Sequence, residues 1–342
     1  MAEVAVVILN WNGADLLEKF LPPLVKSADP CMAEIWIADN GSSDRSPDLV
    51  RTGFPSVKWI ALGKNYGFAG GYNRALERIN ARYFVLLNSD VEVTPGWLEP
   101  LYRMVSDHPR VGACMPKIRS WHHKKQFEHA GAAGGFLDKY GYPFCRGRIF
   151  NSIETDEGQF DRDSDVFWAT GACLMVRADL YRESGGLDPF FFAHMEEIDL
   201  CWRIKNMGYT VKYCHDSVVY HVGGGTLPAK DHMKTYLNFR NNIILLYKNL
   251  PSGRLIPVLF PRFILDFISL FQFLFRFELH NMVAVAGAYY FLLGHIRSIR
   301  RLRRQNLEIC SPATHPEIYP GSIVYKFYIL GIRRFNDLQF NI

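Results

Sequence analysis

Glu196, Glu197 and Asp199 place three carboxylates within four residues, directly after the aromatic Phe190, Phe191 and Phe192 and at the head of a helix-like run, Leu200, Trp202, Arg203 and Ile204. Like charges crowded beside apolar rings penalise one another's ionised forms, so one of the three can hold a raised pKa and serve as a general base near neutral pH. The competing account is a helix N-terminus, whose partial positive charge attracts carboxylates and explains one or two of them without any chemistry. His221 closes the apolar run Val218–Tyr220 just before Gly223, Gly224 and Gly225. A neutral imidazole at such a strand end can ligate a metal, although a lone histidine is more often a hydrogen-bonded structural residue.

Three further clusters occupy comparable positions. Asp39-Asn40-Gly41-Ser42-Ser43-Asp44 follows a short apolar run and can accept hydrogen bonds from a nucleobase or ribose, though it is also a good turn sequence. Asn65 to Asn73 includes Gly67, Phe68, Gly70 and Gly71, where backbone N–H groups at a helix start could meet a diphosphate. It lacks the G-x-G-x-x-G spacing and does not follow the first strand, which argues against a dinucleotide cofactor. Asn88-Ser89-Asp90, with Glu92 just beyond, supplies a carboxylate able to bind Mg²⁺ or Mn²⁺ while phosphate oxygens and water fill the remaining positions.

These clusters need elements to hold them. Val4–Leu9 is a continuous apolar run, followed by helical spacing at Leu16, Leu17, Phe20, Leu21, Leu24 and Val25. The alternation repeats: strand Glu34–Ala38, helix near Pro47–Thr52, strand Val57–Ala61, helix Ala69–Ile79 and strand Tyr83–Leu87. A βαβ series predicts a mostly parallel α/β sheet with helices on both faces and ligands at the carboxyl ends of the strands. From Val111 to Val222 the pattern predicts mixed sheet, with short strands at Ala172–Val176, Thr210–Tyr213 and Ser217–Tyr220, and a long loop over Ser120–Ser164.

The last hundred residues differ. Leu255–Phe277 is apolar except for Arg262, Asp266, Ser269, Gln272 and Arg276, one narrow polar stripe on a helix. Met282–Gly294 falls short of the ~17 residues that span a bilayer. Arg297, Arg300, Arg301, Arg303 and Arg304 follow. Wide apolar surface beside a basic cluster predicts a segment lying in the membrane interface, the alternative being a hairpin buried against the protein or a partner subunit.

At 342 residues, 49% hydrophobic and 21% charged, the chain is too long and too apolar for a disordered protein. Seven scattered cysteines without a C-x-x-C pair argue against a disulfide framework or zinc knuckle and for a reducing compartment. A net charge of +5 gives no reason to expect nucleic acid. Met1-Ala2-Glu3-Val4 lacks a basic stretch with an apolar core behind it, so the expectation is a cytoplasmic chain beginning at about Met1.

Taken in order, V-V-I-L-N-W-N, D-N-G-S-S-D, N-Y-G-F-A-G-G-Y-N, L-L-N-S-D, T-G-A-C-L-M-V-R, F-F-A-H-M-E-E-I-D-L-C-W-R, V-Y-H-V-G-G-G-T and F-R-N-N resemble family 2 glycosyltransferases of the GT-A fold, in the rhamnosyltransferase and galactofuranosyltransferase-like branch. The resemblance covers roughly Val4–Lys248. It implies a catalytic domain over 1–250, and the apolar and basic pattern beyond it makes 251–342 a helical, membrane-associating region. Asp39 would contact the base, and Asn10, Asn65, Gly67, Phe68, Gly70, Gly71, Asn73, Ser89 and Asp90 would line the nucleotide-sugar site. Glu197 would be the catalytic base, with Thr170, Gly171, Ala172, Glu196 and Asp199 on the acceptor side. Asp90 and His221 would hold Mn²⁺ or Mg²⁺. One departure is Asn88, which stands where the family's first D-x-D aspartate is expected, and an amide is a weaker metal ligand than a carboxylate.

The implied reaction is inverting transfer from a nucleotide-diphosphate sugar, dTDP-rhamnose first and a UDP-hexose second, to a hydroxyl of a lipid-linked or other saccharide in cell-surface polysaccharide synthesis. The enzyme would sit peripherally at the cytoplasmic face of the inner membrane, with oligomerisation left open. The alternatives are a processive polysaccharide synthase, disfavoured because no Q-x-x-R-W sequence is present, and a silent sugar-nucleotide-binding or scaffold protein.

Overall fold

The computed structural model describes residues 2–29, 31–223 and 232–340, so Gly224 and Gly225 of the glycine turn lie outside the described residues. The first half alternates β1 (Ala2–Asn10), α1 (Ala14–Ser27), β2 (Ala33–Asp39), α2 (Ser46–Gly53), β3 (Lys58–Ala61), α3 (Gly67–Leu76) and β4 (Ala81–Leu87). β1 pairs in parallel with β2 on one side and β4 on the other, and β3 extends the sheet beyond β2. Val4, Ala5, Val6 and Val7 are fully buried, because helices cover both faces of a strand with no polar side. Leu17, Phe20, Leu21 and Leu24 give α1 its buried stripe, and the N–H of Ala14 at its start is satisfied by Asp44 Oδ2 at 2.9 Å.

The second half adds β5 (Val91–Val93), α4 (Leu98–Ser106), β6 (Val111–Ser120), β7 (Gly135–Asp138), β8 (Pro143–Cys145), β9 (Arg148–Ile149), β10 (Ser152–Ile153), β11 (Ser164–Val166), β12 (Cys173–Arg177), α5 (Ala178–Glu183), α6 (Glu196–Asn206) and β13 (Thr210–His221). The central sheet runs β11, β13, β6, β12, β4, β1, β2, β3, with β5 also paired to β13. The strands expected at Thr210–Tyr213 and Ser217–Tyr220 are one strand, β13, interrupted by an irregularity between Cys214 and Val218. The loop expected over Ser120–Ser164 is corrected more substantially, since β7 to β10 form most of a second, five-stranded sheet. Strands of two to four residues leave no period to read.

The C-terminal region comprises α7 (His232–Asn249), α8 (Leu255–Phe275), α9 (Leu279–Gly294), α10 (Ile296–Ile309), β14 (Ile318–Tyr319) and α11 (Ile323–Tyr328). Helix α8 is long and apolar enough to cross a membrane by length and composition. Two members of its polar stripe are not solvated: Arg262 and Asp266 are buried as an ion pair, at 2.8 Å. Asp266 also accepts hydrogen bonds from the hydroxyls of Tyr142 and Tyr289, at 3.0 and 2.8 Å. The stripe thus docks α8 on the body of the protein, leaving Phe260, Phe263, Phe267, Phe271 and Phe275 exposed. Arg303 leaves the expected basic cluster too, buried against the carbonyl oxygens of Tyr247 and Leu250, whereas Arg297, Arg300, Arg301 and Arg304 stay exposed. Nor is 251–342 helical throughout, because β14 pairs with β7 and Phe335 and Phe340 pack on Phe136.

Candidate active site

The carboxyl ends of β1, β2 and β4 carry three of the sequence clusters to one edge of the sheet. At the first two ends, buried Asp39 accepts from Asn10 Nδ2 at 3.4 Å and from the Ser42 N–H at 3.2 Å. Asn40 bridges onward, its Nδ2 donating to Asn65 Oδ1 at 3.0 Å and its Oδ1 accepting the Tyr66 N–H at 2.9 Å. Gly41 is required here: its φ is +80°, and a Cβ would stand 2.6 Å from the Lys64 backbone. Asn10, Asp39 and Asn65 thus form one polar cluster, with Asn10 Oδ1 left without a partner among the described residues.

The glycines of α3 have a different purpose from the one expected. The Gly67 N–H is already taken by Asn65 Oδ1 at 2.8 Å. A Cβ on Gly71 would come within 2.7 Å of Leu9 Cδ1, so that glycine lets the helix lie close on the sheet. Gly70 abuts Tyr66 in the same buried helix face. Asn73 ties Leu187 and Tyr181 together, donating to the Leu187 carbonyl at 2.7 Å and accepting from the Tyr181 hydroxyl at 2.6 Å. Of this cluster, Phe68 reaches the neighbouring cavity.

That cavity, about 470 Å³, gathers Asn88, Asp90, Thr170, Gly171, Ala172, Glu196, Glu197 and His221 from four separate stretches of chain. Asn88 is fixed by its N–H donating to the Ala172 carbonyl at 3.0 Å, while Ser89 lies on the side of Gly13 and is not part of the cavity wall. Asp90 Oδ1 lies 3.1 Å from His221 Nε2, and Glu128 Oε2 lies 3.2 Å from His221 Nδ1. Burial opposes charge on the imidazole, but the two carboxylates push it up to about 10, and it holds both of them below the ordinary carboxylate range against their own burial. Glu128 escaped the sequence reading because it sits in the stretch taken for a loop, and a single Glu-His dipeptide carries no signal.

The Asp90–His221 pair fits a divalent cation. A carboxylate oxygen and an imidazole nitrogen, the latter once a cation displaces its proton, converge on the cavity that Asn88 also lines, leaving the other coordination positions to water and phosphate. Glu128 behind the ring would set its orientation, as outer carboxylates do for metal-bound histidines. Among the described residues no group of three or more His, Cys, Asp and Glu side chains is arranged to hold a metal ion, so a cation here would rest on this pair with phosphate and water.

The three carboxylates of α6 separate by environment. Asp199 is corrected as an acceptor-side residue: it is fully buried away from the cavity and bound by Arg203, Lys248 and Asn249. Burial would raise its pKa, but Arg203 and Lys248 more than offset this and hold it below the usual range. Glu196 and Glu197 line the cavity, each with an Oε2 that has no hydrogen-bond partner among the described residues. Burial, reinforced by Glu197, pushes Glu196 well above the ordinary range, and burial pushes Glu197 up to about 7. Glu197 is only partly buried at the cavity wall, beside Gly171 and the Phe68 ring, and can exchange a proton with a bound molecule.

The approach to α6 is strained. Phe192, His194 and Met195 have φ values of +67°, +67° and +75°, unusual for residues with side chains. The F-R-N-N run holds them there. Asn241 Nδ2 lies within 2.9 Å of the Phe191, Ala193 and His194 carbonyls, and Arg240 also donates to the Phe191 carbonyl at 2.8 Å.

Residues 5–185, more than half of the chain, match the family model described as Glycosyl transferase family 2. An N-acetylglucosaminyl-diphospho-decaprenol L-rhamnosyltransferase of Mycobacterium tuberculosis is 27% identical over 231 residues, covering 63% of this chain and 75% of that protein. Among solved structures, GalNAc-T7 with UDP, GalNAc and Mn²⁺ aligns with a TM-score of 0.57 at 14% identity over 74% of this chain, which spans only 49% of that one. A mannosyltransferase from Pyrobaculum calidifontis in complex with GDP-Man and Mn²⁺ aligns with a TM-score of 0.52 at 13% identity, over 90% of this chain and 84% of that one. These two likenesses concern the fold.

Proposed function

This chain belongs to glycosyltransferase family 2, and on that footing we propose that it moves a sugar, with inversion, from a nucleotide-diphosphate donor to a hydroxyl of a lipid-linked saccharide. The observation that carries the reading is the pairing, in one cavity, of a carboxylate raised to about 7 with the Asp90–His221 pair. The relative from Mycobacterium tuberculosis, named for rhamnosyl transfer to a diphospholipid-linked sugar, supports dTDP-rhamnose as first choice of donor, a UDP-hexose being second.

The polar cluster of Asn10, Asp39 and Asn65 takes the base and ribose, with Asp39 accepting from the base. Asp90 and His221 would hold Mn²⁺ or Mg²⁺, which when bound supplies positive charge to the departing diphosphate. Thr170, Gly171 and Ala172 form the wall against which the acceptor lies. The Glu197 carboxylate accepts the proton of the acceptor hydroxyl as its oxygen attacks the anomeric carbon from the face opposite the leaving group. The C–O bond to the diphosphate breaks, and the proton stays on Glu197 until solvent removes it. Residues 1–250 serve as the catalytic unit, and the exposed phenylalanines of α8 with Arg297, Arg300, Arg301 and Arg304 rest it on the cytoplasmic face of a membrane.

The test is incubation of the full chain with dTDP-rhamnose and a panel of UDP-hexoses on a GlcNAc-diphospholipid acceptor, with products read by mass and anomeric configuration. A single sugar added with inversion supports the reading. Retention of configuration, or transfer only to lipid-free saccharides, contradicts it.

A further inference from the structure

The groups expected to meet a departing diphosphate are few. The glycines at the start of α3 serve other ends: the Gly67 N–H is taken by Asn65 Oδ1, and Gly70 and Gly71 are buried against Tyr66 and Leu9. Asn88 stands in place of a second carboxylate, so the Asp90–His221 pair is a sparse cation site. Charge counting makes the shortfall explicit. A divalent cation on that pair meets a neutral His221, and the negative charges of Asp90 and Glu128 offset its two positive ones. Without it, His221 faces the same two carboxylates with one charge at most. Either way, this end of the cavity offers no net positive charge to a group that leaves carrying an additional negative one.

One side chain on the wall supplies it. Lys234, in the first turn of α7, is the only lysine or arginine among the described residues that line the cavity. It is half-buried and forms no ion pair among the described residues, although four carboxylates share the wall. Asp90 and Glu128 are engaged by His221, while Glu196 and Glu197 each keep an Oε2 without a partner. The other two imidazoles of the wall are neutral near pH 7. Arg148 first, then burial and Lys234, hold His129 at about 3 against the pull of Glu128, and burial and then Lys234 lower His194 to about 4. The one positive charge on this wall that no carboxylate answers is therefore that of Lys234. A half-buried cation left in this state is placed to receive an anion that arrives with a ligand.

We propose that Lys234 is a catalytic residue that binds the diphosphate of the nucleotide sugar and stabilises it as it leaves. This rests on the glycosyl-transfer reading above. As the acceptor oxygen bonds to the anomeric carbon, the C–O bond to the diphosphate breaks and its electron pair stays on the phosphate oxygen. Lys234 Nζ donates a hydrogen bond to the diphosphate oxygens and transfers no proton, because the acceptor proton goes to Glu197. The charge on the diphosphate is larger after cleavage than before, so Lys234 favours the transition state over the bound donor.

The experiment measures binding to the full chain in detergent by calorimetry, with inorganic diphosphate, dTDP, UDP, thymidine and uridine as separate probes, each in Mn²⁺ and in EDTA. Lys234→Met keeps the reach of the side chain and removes its charge. It should weaken inorganic diphosphate and the tighter-binding nucleoside diphosphate at least tenfold, in EDTA as in Mn²⁺, with nucleoside affinity unchanged, and Lys234→Arg should restore most of the loss. In turnover, Lys234→Met should lower kcat on the order of 10²-fold with little change in acceptor KM. Unchanged diphosphate affinity overturns the assignment, and so does an equal loss for the nucleosides, which a general disturbance of the fold would give. The two readings fail separately. Lys234-dependent diphosphate binding without transfer of any sugar keeps the anion site and removes the glycosyl-transfer reading. Sugar transfer with wild-type kcat and diphosphate affinity in Lys234→Met keeps that reading and removes the role of Lys234.

Discussion

Asp90 and His221 are brought to 3.1 Å by a strand pairing in which β5 lies antiparallel to β13 and His221 stands opposite Val91. The Val222 N–H donating to the Asp90 carbonyl at 3.0 Å locks the two ends together. The backbone register thus fixes where the two side chains start, and their mutual contact then sets how they meet.

Removing either member should therefore abolish metal response without unfolding the sheet. With a nucleotide diphosphate present, Mn²⁺ should raise the melting temperature of the wild type, and Asp90→Asn or His221→Ala should weaken that response more than tenfold. Glu128→Gln, one shell further out, should weaken it by roughly 10-fold. An undiminished Mn²⁺ shift in Asp90→Asn would place the cation elsewhere.

The raised pKa of Glu197 predicts opposite pH trends for rate and stability. Turnover should fall as pH drops below about 7, since the base is then protonated. A carboxyl that is more basic in the folded than in the unfolded chain binds more protons when folded. Its contribution to stability is then favourable at low pH and is lost as pH rises from the ordinary 4.5 through about 7. Relative to Glu197→Gln, the wild type should lose melting temperature over that window and run parallel above it. A constant difference from pH 4 to 9 would mean that Glu197 has an ordinary pKa.

Asn241→Leu leaves the carbonyls of Phe191, Ala193 and His194 without their shared amide. Lost and unsatisfied hydrogen bonds of this kind cost ~2–3 kcal/mol, and the strained backbone at Phe192, His194 and Met195 should relax with them. The expected outcome, read by denaturant titration and steady-state kinetics, is lower stability with a drop in kcat larger than any change in donor KM. A change in stability alone would show that the strain does not aim Glu197.

Sedimentation with lipid vesicles separates the two parts of the membrane surface. Binding to anionic vesicles should weaken with salt, and replacing Arg297, Arg300, Arg301 and Arg304 together with Gln should remove the salt-sensitive part, at about 1 kcal/mol per cation. Phe267→Ser with Phe271→Ser should weaken binding at every salt concentration, because those rings are exposed apolar surface. Equal binding of the wild type and the Phe double variant would mean that α8 does not enter the lipid.

The βαβ half was legible because its strands are long, buried on both faces and separated by helices with a clear stripe. The small sheet was not, since short strands built from glycine, aromatic and charged residues have no period. Side-chain position was harder still. Asp199 and Glu197 are two residues apart and look equivalent in the sequence, yet one meets Arg203 and Lys248 and the other meets open cavity. Arg262, Asp266 and Arg303 read as surface charges because their partners, Tyr142, Tyr289 and the end of α7, lie far away in sequence. Gly71 read as a phosphate-binding glycine because nothing in the sequence shows how close Leu9 comes.

The central claim is that Glu197 takes the acceptor proton. Single-turnover transfer by Glu197→Gln, with donor affinity measured on the same preparation, tests it most directly. The account predicts a rate ~10²–10⁴-fold below wild type with donor affinity unchanged. A rate near that of the wild type would contradict it and move the role to Glu196, the other unpartnered carboxylate on the cavity wall.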